Sequence, residues 1–213
     1  MRTMSSIHGP DVDLPGTPEP TGDRSGVRRP SEPRLAAGWR IRRATAEDAA
    51  ACAEIYADYV LDTAVTFETQ PPSVQEMAGR IERSNQAHAW LVLEVDGVVV
   101  GYAYGREYHA RAAYAWSCEA SVYLRTGRRR TGAGRALYAA LLPLLAERGY
   151  RRVIAGITQP NDASNGLHWV FGFTDVGTMY KIGWKNGRWH DVTWLQLDLT
   201  PDEDPGKPPE PLA

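Results

Sequence analysis

Residues 116–141 read WSCEASVYLRTGRRRTGAGRALYAAL. An alternating apolar stretch runs into a basic, glycine-bearing turn and then into a helical period. The period of two predicts a strand from about Tyr114 to Leu124, with Glu119, Ser121 and Tyr123 on one face and Cys118, Ala120, Val122 and Leu124 on the other. A helix is predicted from about Gly132 to Arg148, because Leu137, Leu141, Leu144 and Leu145 mark one face and Gly149 stops it. Pro143 interrupts that pattern, since an interior proline removes a hydrogen bond and crowds the preceding turn. Between strand and helix stands Arg129-Arg130-Thr131-Gly132-Ala133-Gly134. Glycines let a ligand approach the backbone, and a helix start leaves N–H groups and a positive dipole end facing it. Such a turn suits an anion such as a pyrophosphate, with the arginines adding charge. Composition alone equally allows a solvated basic turn.

Outward from this stretch, Trp39 to Arg42 alternates as a short strand, and Thr45 with Asp48 opens a helix through Cys52, Ile55 and Tyr59. Ser73 with Glu76 starts a second helix carrying Met77 and Ile81. Trp90–Val95, Asp96-Gly97 and Val98–Tyr104 read as a hairpin on a primed turn. Beyond the central helix come a strand at Arg151–Ile157, a short helix at Asp162–Phe171, and strands at Thr174–Gly183 and Arg188–Leu199 joined by Asn186-Gly187. The fold class is α+β, with an antiparallel front half and helices interposed later.

Six of the 15 prolines lie in residues 1–37 and five in 201–213, without hydrophobic period. These ends are expected to be disordered, leaving one domain over 38–200. No apolar run reaches the ~18 residues of a membrane span and no apolar leader follows the N-terminus, so a cytoplasmic protein is expected. A net charge of −2 gives no bulk attraction to nucleic acid or anionic membrane. The five histidines lack metal-ligand spacing, so no metal is expected. Cys52 and Cys118 fall on apolar faces and read as small core residues.

Two other phosphate loops do not fit. A P-loop needs Lys-Ser/Thr after its last glycine, where Arg135-Ala136 stands, and a dinucleotide loop wants glycine where Leu137 stands. The spacing of Arg129, Gly132 and Gly134 resembles instead the acetyl-CoA pyrophosphate loop of the GNAT superfamily. Its company strengthens the likeness: Glu119–Leu124 before it, Gly134–Tyr138 after it, then Pro160–Ser164, Leu167–Phe173 and Gly187–Val192. From about Arg40 to Leu199 the chain resembles the phosphinothricin N-acetyltransferase-like members of that superfamily.

The resemblance implies a GNAT fold with a mixed, mostly antiparallel sheet, and direct acetyl transfer from acetyl-CoA without an acyl-enzyme. It implies that backbone at Val122, Tyr123 and Leu124 pairs with the pantetheine arm. Arg129, Arg130, Thr131, Gly132, Ala133, Gly134 and Arg135 would hold the pyrophosphate, and Asn161 is either a CoA contact or the cap of the helix beside it. Glu119, on a strand and partly desolvated beside Trp116, Cys118 and Val122, is the candidate general base from its surroundings and from the family. Tyr138, one helical turn beyond Gly134, is either the acid for the departing thiolate or a packed tyrosine; His168 either assists or is structural. Phe67, Arg111 and Tyr114 match the acceptor pocket, and the implied acceptor is a small amine with an α-amino-acid head. Family members commonly form homodimers, which the aromatic stretch Trp184–Trp194 could support, and the implied role is resistance to a toxin or ordinary amino-acid metabolism. A non-catalytic acyl-CoA sensor is the alternative, distinguished by whether Glu119 and Tyr138 work.

Overall fold

A computed structural model describes residues 36–128 and 131–200. The two ends expected to be disordered lie outside these residues, except Ala36 and Ala37. Those two belong to a turn closed by the Trp39 N–H on the Ala36 carbonyl at 3.0 Å. The chain runs β1 (Trp39–Arg43), α1 (Ala49–Asp62), α2 (Val74–Ala87), β2 (Trp90–Val95), β3 (Val98–Glu107), β4 (Ser117–Leu124), α3 (Ala133–Glu147), β5 (Arg152–Thr158), α4 (Asp162–Val170), β6 (Thr174–Lys185) and β7 (Arg188–Asp198). One seven-stranded sheet has the order β1-β2-β3-β4-β5-β7-β6. Every neighbouring pair is antiparallel except β4 with β5. The α+β class and the mostly antiparallel sheet are as expected.

Local chemistry accounts for the joints. Asp96 and Gly97 have φ of 49° and 82°, and Asn186 and Gly187 have 51° and 76°. Two positive φ values match the right-handed twist of hairpin strands, and Asx-Gly reaches them with least strain. The Ser73 hydroxyl accepts the Glu76 N–H at 3.1 Å and starts α2. Strand β4 begins at Ser117 rather than Tyr114: Ala112–Tyr114 is a 3-10 turn, closed by Tyr114 N–H on Arg111 at 2.9 Å and Ala115 N–H on Ala112 at 3.1 Å. Two consecutive alanines offer a pleat nothing to pack, so the local bonds prevail. Helix α3 runs through Pro143, whose side is exposed while Leu141, Leu142 and Leu145 are buried. Burying those three offsets the roughly 3 kcal/mol an interior proline costs.

The sheet is covered on both faces. Leu91 and Leu93 pack with Leu137, Leu141 and Leu145 of α3, while Trp90 and Val92 pack with Ile55, Met77 and Ile81 of α1 and α2. That is why β2 reads as a continuous apolar run. Cys52 and Cys118 are buried, free and in different clusters. Burial pushes the Cys52 thiol up to about 12 and the Cys118 thiol up as well, so both stay protonated core residues.

One buried ion network fastens β1 to the start of α1. The Asp48 carboxylate accepts two bonds from the Arg42 guanidinium at 2.7 Å each and one from the Thr45 N–H at 2.8 Å. The Arg42 hydrogen bonds hold its acid below the ordinary aspartate value. A depressed folded pKa stabilises the fold above the unfolded value and stops doing so as pH falls through the folded one. Asp48→Asn is expected to destabilise the domain by about 1–3 kcal/mol at neutral pH. The gap to wild type should close as pH drops below about 4, as urea titrations at a series of pH values would show.

Candidate active site

Strands β4 and β5 are paired only at Ser117, Cys118 and Glu119, opposite Arg152, Val153 and Ile154. Beyond Glu119 they part, and a cleft of about 900 Å³ opens between them. Which backbone groups of β4 face this cleft follows from one hydrogen bond. The Arg125 N–H reaches the Val100 carbonyl of β3 at 2.8 Å. Backbone groups alternate edges along a strand, so those of Tyr123 also face β3, while those of Val122 and Leu124 face the cleft. Leu124 is already engaged. The Tyr59 hydroxyl donates to its carbonyl at 2.7 Å and accepts its N–H at 3.3 Å.

The cleft's mouth is the start of α3. Gly132, with φ of 87°, turns the chain into the helix, and the first intrahelical bond is the Ala136 N–H on the Gly132 carbonyl at 2.9 Å. The N–H groups of Ala133, Gly134 and Arg135 precede it and have no helical partner. A Cβ on Gly132 would meet nothing within 4 Å, so the glycine answers the backbone angle, not crowding. Thr131 donates to the Arg128 carbonyl at 2.8 Å, shaping the turn. Arg129 and Arg130 lie outside the described residues. Across the cleft, Asn161 accepts the Ser164 N–H at 3.2 Å and caps α4. It is a cap and a cleft wall at once.

A second cavity, of about 1230 Å³, lies against the first, with Val65 and Thr158 lining both. Glu119, Phe67, Arg111 and Tyr114 all line it. Phe67 sits over the tail of β6, where a Cβ on Gly183 would run into its ring. The Lys185 ammonium donates to the Thr66 carbonyl at 2.8 Å and ties the same loop down. Tyr114 packs against Tyr108 and His109, with ring centres at 5.7 and 5.1 Å. The ring of Tyr123 is turned to this cavity, edge-on to Tyr56 at 4.9 Å and Tyr59 at 5.1 Å.

The surroundings of Glu119 differ from expectation. Cys118 and Val122 point to the opposite face, and the partner of Glu119 is Arg106, whose Nη2 donates to Oε1 at 2.6 Å. The two residues stand directly opposite on β4 and β3. The pair is asymmetric, with 13% of the carboxylate side chain and 57% of the guanidinium side chain exposed. Behind it, Glu68 accepts from Arg80 at 2.8 and 2.9 Å and from the Tyr56 hydroxyl at 2.9 Å. Arg106, Glu68 and Tyr59 were missed by the sequence reading. For Arg106 the signal was present: continuing the period of β3 two residues beyond Tyr104 reaches it. Glu68 and Tyr59 gave no local signal, since their partners lie 12 and 65 residues away.

Tyr138 and His168 line neither cavity and are buried together one layer deeper. The Ser164 carbonyl, 2.7 Å from Nδ1, only accepts, so a neutral imidazole carries its proton there and its Nε2 accepts from the Tyr138 hydroxyl at 3.0 Å. Burial lowers the His168 pKa and raises that of Tyr138, which keeps the ring neutral and the phenol protonated.

A helix start able to hold an anion, set beside an open strand edge, suits a long phosphorylated ligand whose amide arm lies along the strand, as in acyltransferases that use coenzyme A thioesters. Residues 41–194 match the family model described as the acetyltransferase (GNAT) domain. The chain belongs to this family and is an acetyl-CoA-dependent N-acetyltransferase. It is similar to a phosphinothricin N-acetyltransferase of Streptomyces viridochromogenes, 42% identical over 172 residues that make up 81% of this chain and 92% of that one. An L-methionine sulfoximine/L-methionine sulfone acetyltransferase of Salmonella typhimurium is 35% identical over 160 residues, 75% of this chain and 94% of the other. Among solved structures, a GNAT superfamily phosphinothricin acetyltransferase of Sinorhizobium meliloti in complex with acetyl-CoA aligns with a TM-score of 0.76 at 34% identity, covering 81% of this chain and 93% of that one.

Among the described residues no helix is long and apolar enough to cross a membrane, and no group of three His, Cys, Asp or Glu side chains is placed to hold a metal.

Proposed function

We propose that the enzyme acetylates the α-amino group of a small amino-acid-like acceptor such as phosphinothricin or methionine sulfoximine or sulfone, with Glu119 as general base. The observation that carries this is the position of Glu119, a mostly buried carboxylate on the wall of a cavity that adjoins the cleft. The names of the relatives support the acceptor class.

The residues present fit acetyl-CoA, which when bound supplies an activated acetyl thioester. The N–H groups of Ala133, Gly134 and Arg135, which have no partner within the helix, would hold its pyrophosphate together with the Arg135 side chain. Val122 would pair with its amide arm. Leu124 takes part only if Tyr59 yields, and Tyr123 contributes its ring rather than its backbone. Arg129, Arg130 and Thr131 would add to the pyrophosphate contacts, and Asn161 lines the far wall. Phe67, Arg111 and Tyr114 would hold the acceptor.

Transfer forms a C–N bond and breaks the C–S bond. The acceptor's ammonium gives one proton to Glu119 to become nucleophilic, and the second, released as the amide forms, replaces the one that the sulfur gains. We assign the sulfur's proton to Tyr138, with His168 holding the hydroxyl until the thiolate forms. The phenol must then exchange its bond to Nε2 for one to sulfur. Tyr138→Phe is expected to lower kcat about 10- to 100-fold without changing the KM for acetyl-CoA. A drop in melting temperature with unchanged kcat would make the Tyr138–His168 pair a structural tie between α3 and α4.

The enzyme also reads as a cytoplasmic homodimer. Two free, buried thiols suit a reducing compartment. Edge strand β6 exposes Val176, Met179, Tyr180, Ile182 and Trp184, a surface that a second copy would cover. Sedimentation equilibrium measures that state directly.

The test of function is thiol release from acetyl-CoA over a panel of phosphinothricin, methionine sulfoximine, methionine sulfone, common L-amino acids and a lysine peptide. Turnover confined to free amino acids is expected. CoA binding with no turnover on any amine would favour a non-catalytic sensor.

A further inference from the structure

We propose that Arg106 is the receptor for the acceptor's carboxylate, and that the Arg106–Glu119 pair is opened by the zwitterionic head it recognises. The proposal rests on the amino-acid acceptor assigned above and names the residue that selects it.

Arg106 and Glu119 face each other across β3 and β4 on the wall of the acceptor cavity. Directly opposed side chains on antiparallel strands start from Cβ atoms ~5 Å apart. An α-amino acid carries its ammonium and carboxylate on one carbon, so it presents two opposite charges at a similar spacing. The ammonium matches Glu119 and the carboxylate matches Arg106. Docking exchanges one protein–protein ion pair for two protein–ligand pairs. It also leaves Glu119 in contact with the nitrogen it must deprotonate.

Arg80, Arg83 and Arg111 also line the cavity, but only Arg106 stands opposite Glu119 across the strands, and Arg111 serves with Phe67 and Tyr114 on the rest of the acceptor. Arg80 is held by both oxygens of Glu68 and by Glu76 at 2.6 Å, so its fork is occupied. Among the described residues Arg106 gives one hydrogen bond to protein, through Nη2, out of the five donors of a guanidinium. Its side chain is the more exposed of the pair, so the remaining donors are open to a ligand. Without a carboxylate to take over Arg106, an amine must compete with the guanidinium for Glu119. Simple amines are thereby poor acceptors even when they fit.

The experiment compares methionine sulfone with its carboxamide, which differ in the carboxylate alone, in wild type, Arg106→Gln and Arg106→Lys. Thiol release gives kcat/KM, and calorimetric titration of each acceptor in the presence of CoA gives Kd without turnover. Loss of a charge-assisted bidentate contact predicts that Arg106→Gln weakens the acid's Kd about 10- to 100-fold and leaves the amide's within about threefold, so the acid-to-amide preference collapses. Arg106→Lys, a point charge without the fork, should retain part of it. An equal change for both acceptors, or for neither, would overturn the role of Arg106 while leaving the acetyltransferase assignment intact. Absence of turnover on either acceptor by wild type, with CoA still bound, would overturn the acceptor assignment and the role of Arg106 with it.

Discussion

Glu119→Gln is expected to lower kcat/KM by about 10²- to 10⁴-fold, the usual contribution of a positioned general base. Glutamine keeps the shape of the side chain and can still accept a bond from Arg106, but it takes no proton from an amine. Glu119 lines the cavity proposed for the acceptor and not the cleft, so CoA binding should stay near wild type. The Arg106 partner is more than half exposed, and the pair therefore adds little to stability. The melting temperature should stay close to wild type, and so should the rise produced by CoA. Activity within about threefold of wild type would place the base elsewhere. A lost CoA response would mean that the substitution had disturbed the cleft instead.

Gly134→Asp should do the reverse, weakening CoA about 10- to 100-fold, with some loss of stability because Gly134 is buried beside Leu167 and Leu124. Gly134 is the second residue of α3, where a carboxylate is favourable to the helix because it faces the positive dipole end. The added Cβ would lie 3.3 Å from Leu167 Cδ2, a flexible side-chain end that can shift. The same carboxylate would occupy the N–H groups proposed for the pyrophosphate and repel it. Fluorescence or calorimetric titration of CoA reads the loss directly. Its dependence on salt should also change, since a like charge now faces the ligand. Unaltered affinity would remove the α3 start from the binding site.

Much of the fold was legible because its signals are local. Asp96-Gly97 and Asn186-Gly187 name their turns through backbone angles that few other residues accept. The leucines of α3 and the alternation of β4 reveal their elements through period alone. The Gly132–Gly134 turn was legible for the same reason, since a left-handed residue before a helical period is a property of adjacent residues. Tyr114 was misplaced because an alanine-rich stretch has no period, and hydrogen bonds within four residues settled it as a turn.

The candidate site was only half legible. Glu119 and the glycine turn are visible in 26 consecutive residues, but the environment of Glu119 is not. Its expected neighbours Cys118 and Val122 lie one and three residues away, an odd separation that puts them on the opposite face of the strand. Its true neighbour, Arg106, is 13 residues earlier and meets it through the register of β3 on β4. Tyr59 meets Leu124 across 65 residues, and Tyr138 meets His168 across 30.

By itself the sequence determined the elements, their turns, the glycine-bearing start of α3 and the carboxylate on β4, because each depends on φ/ψ preference or on a period within one element. Tertiary structure alone decided that β4 and β5 part beyond Glu119, that Tyr59 occupies the edge at Leu124, and that Arg106 holds Glu119. Those contacts depend on sheet order and register, which come from packing two apolar faces between helices and are written in no single stretch of the chain.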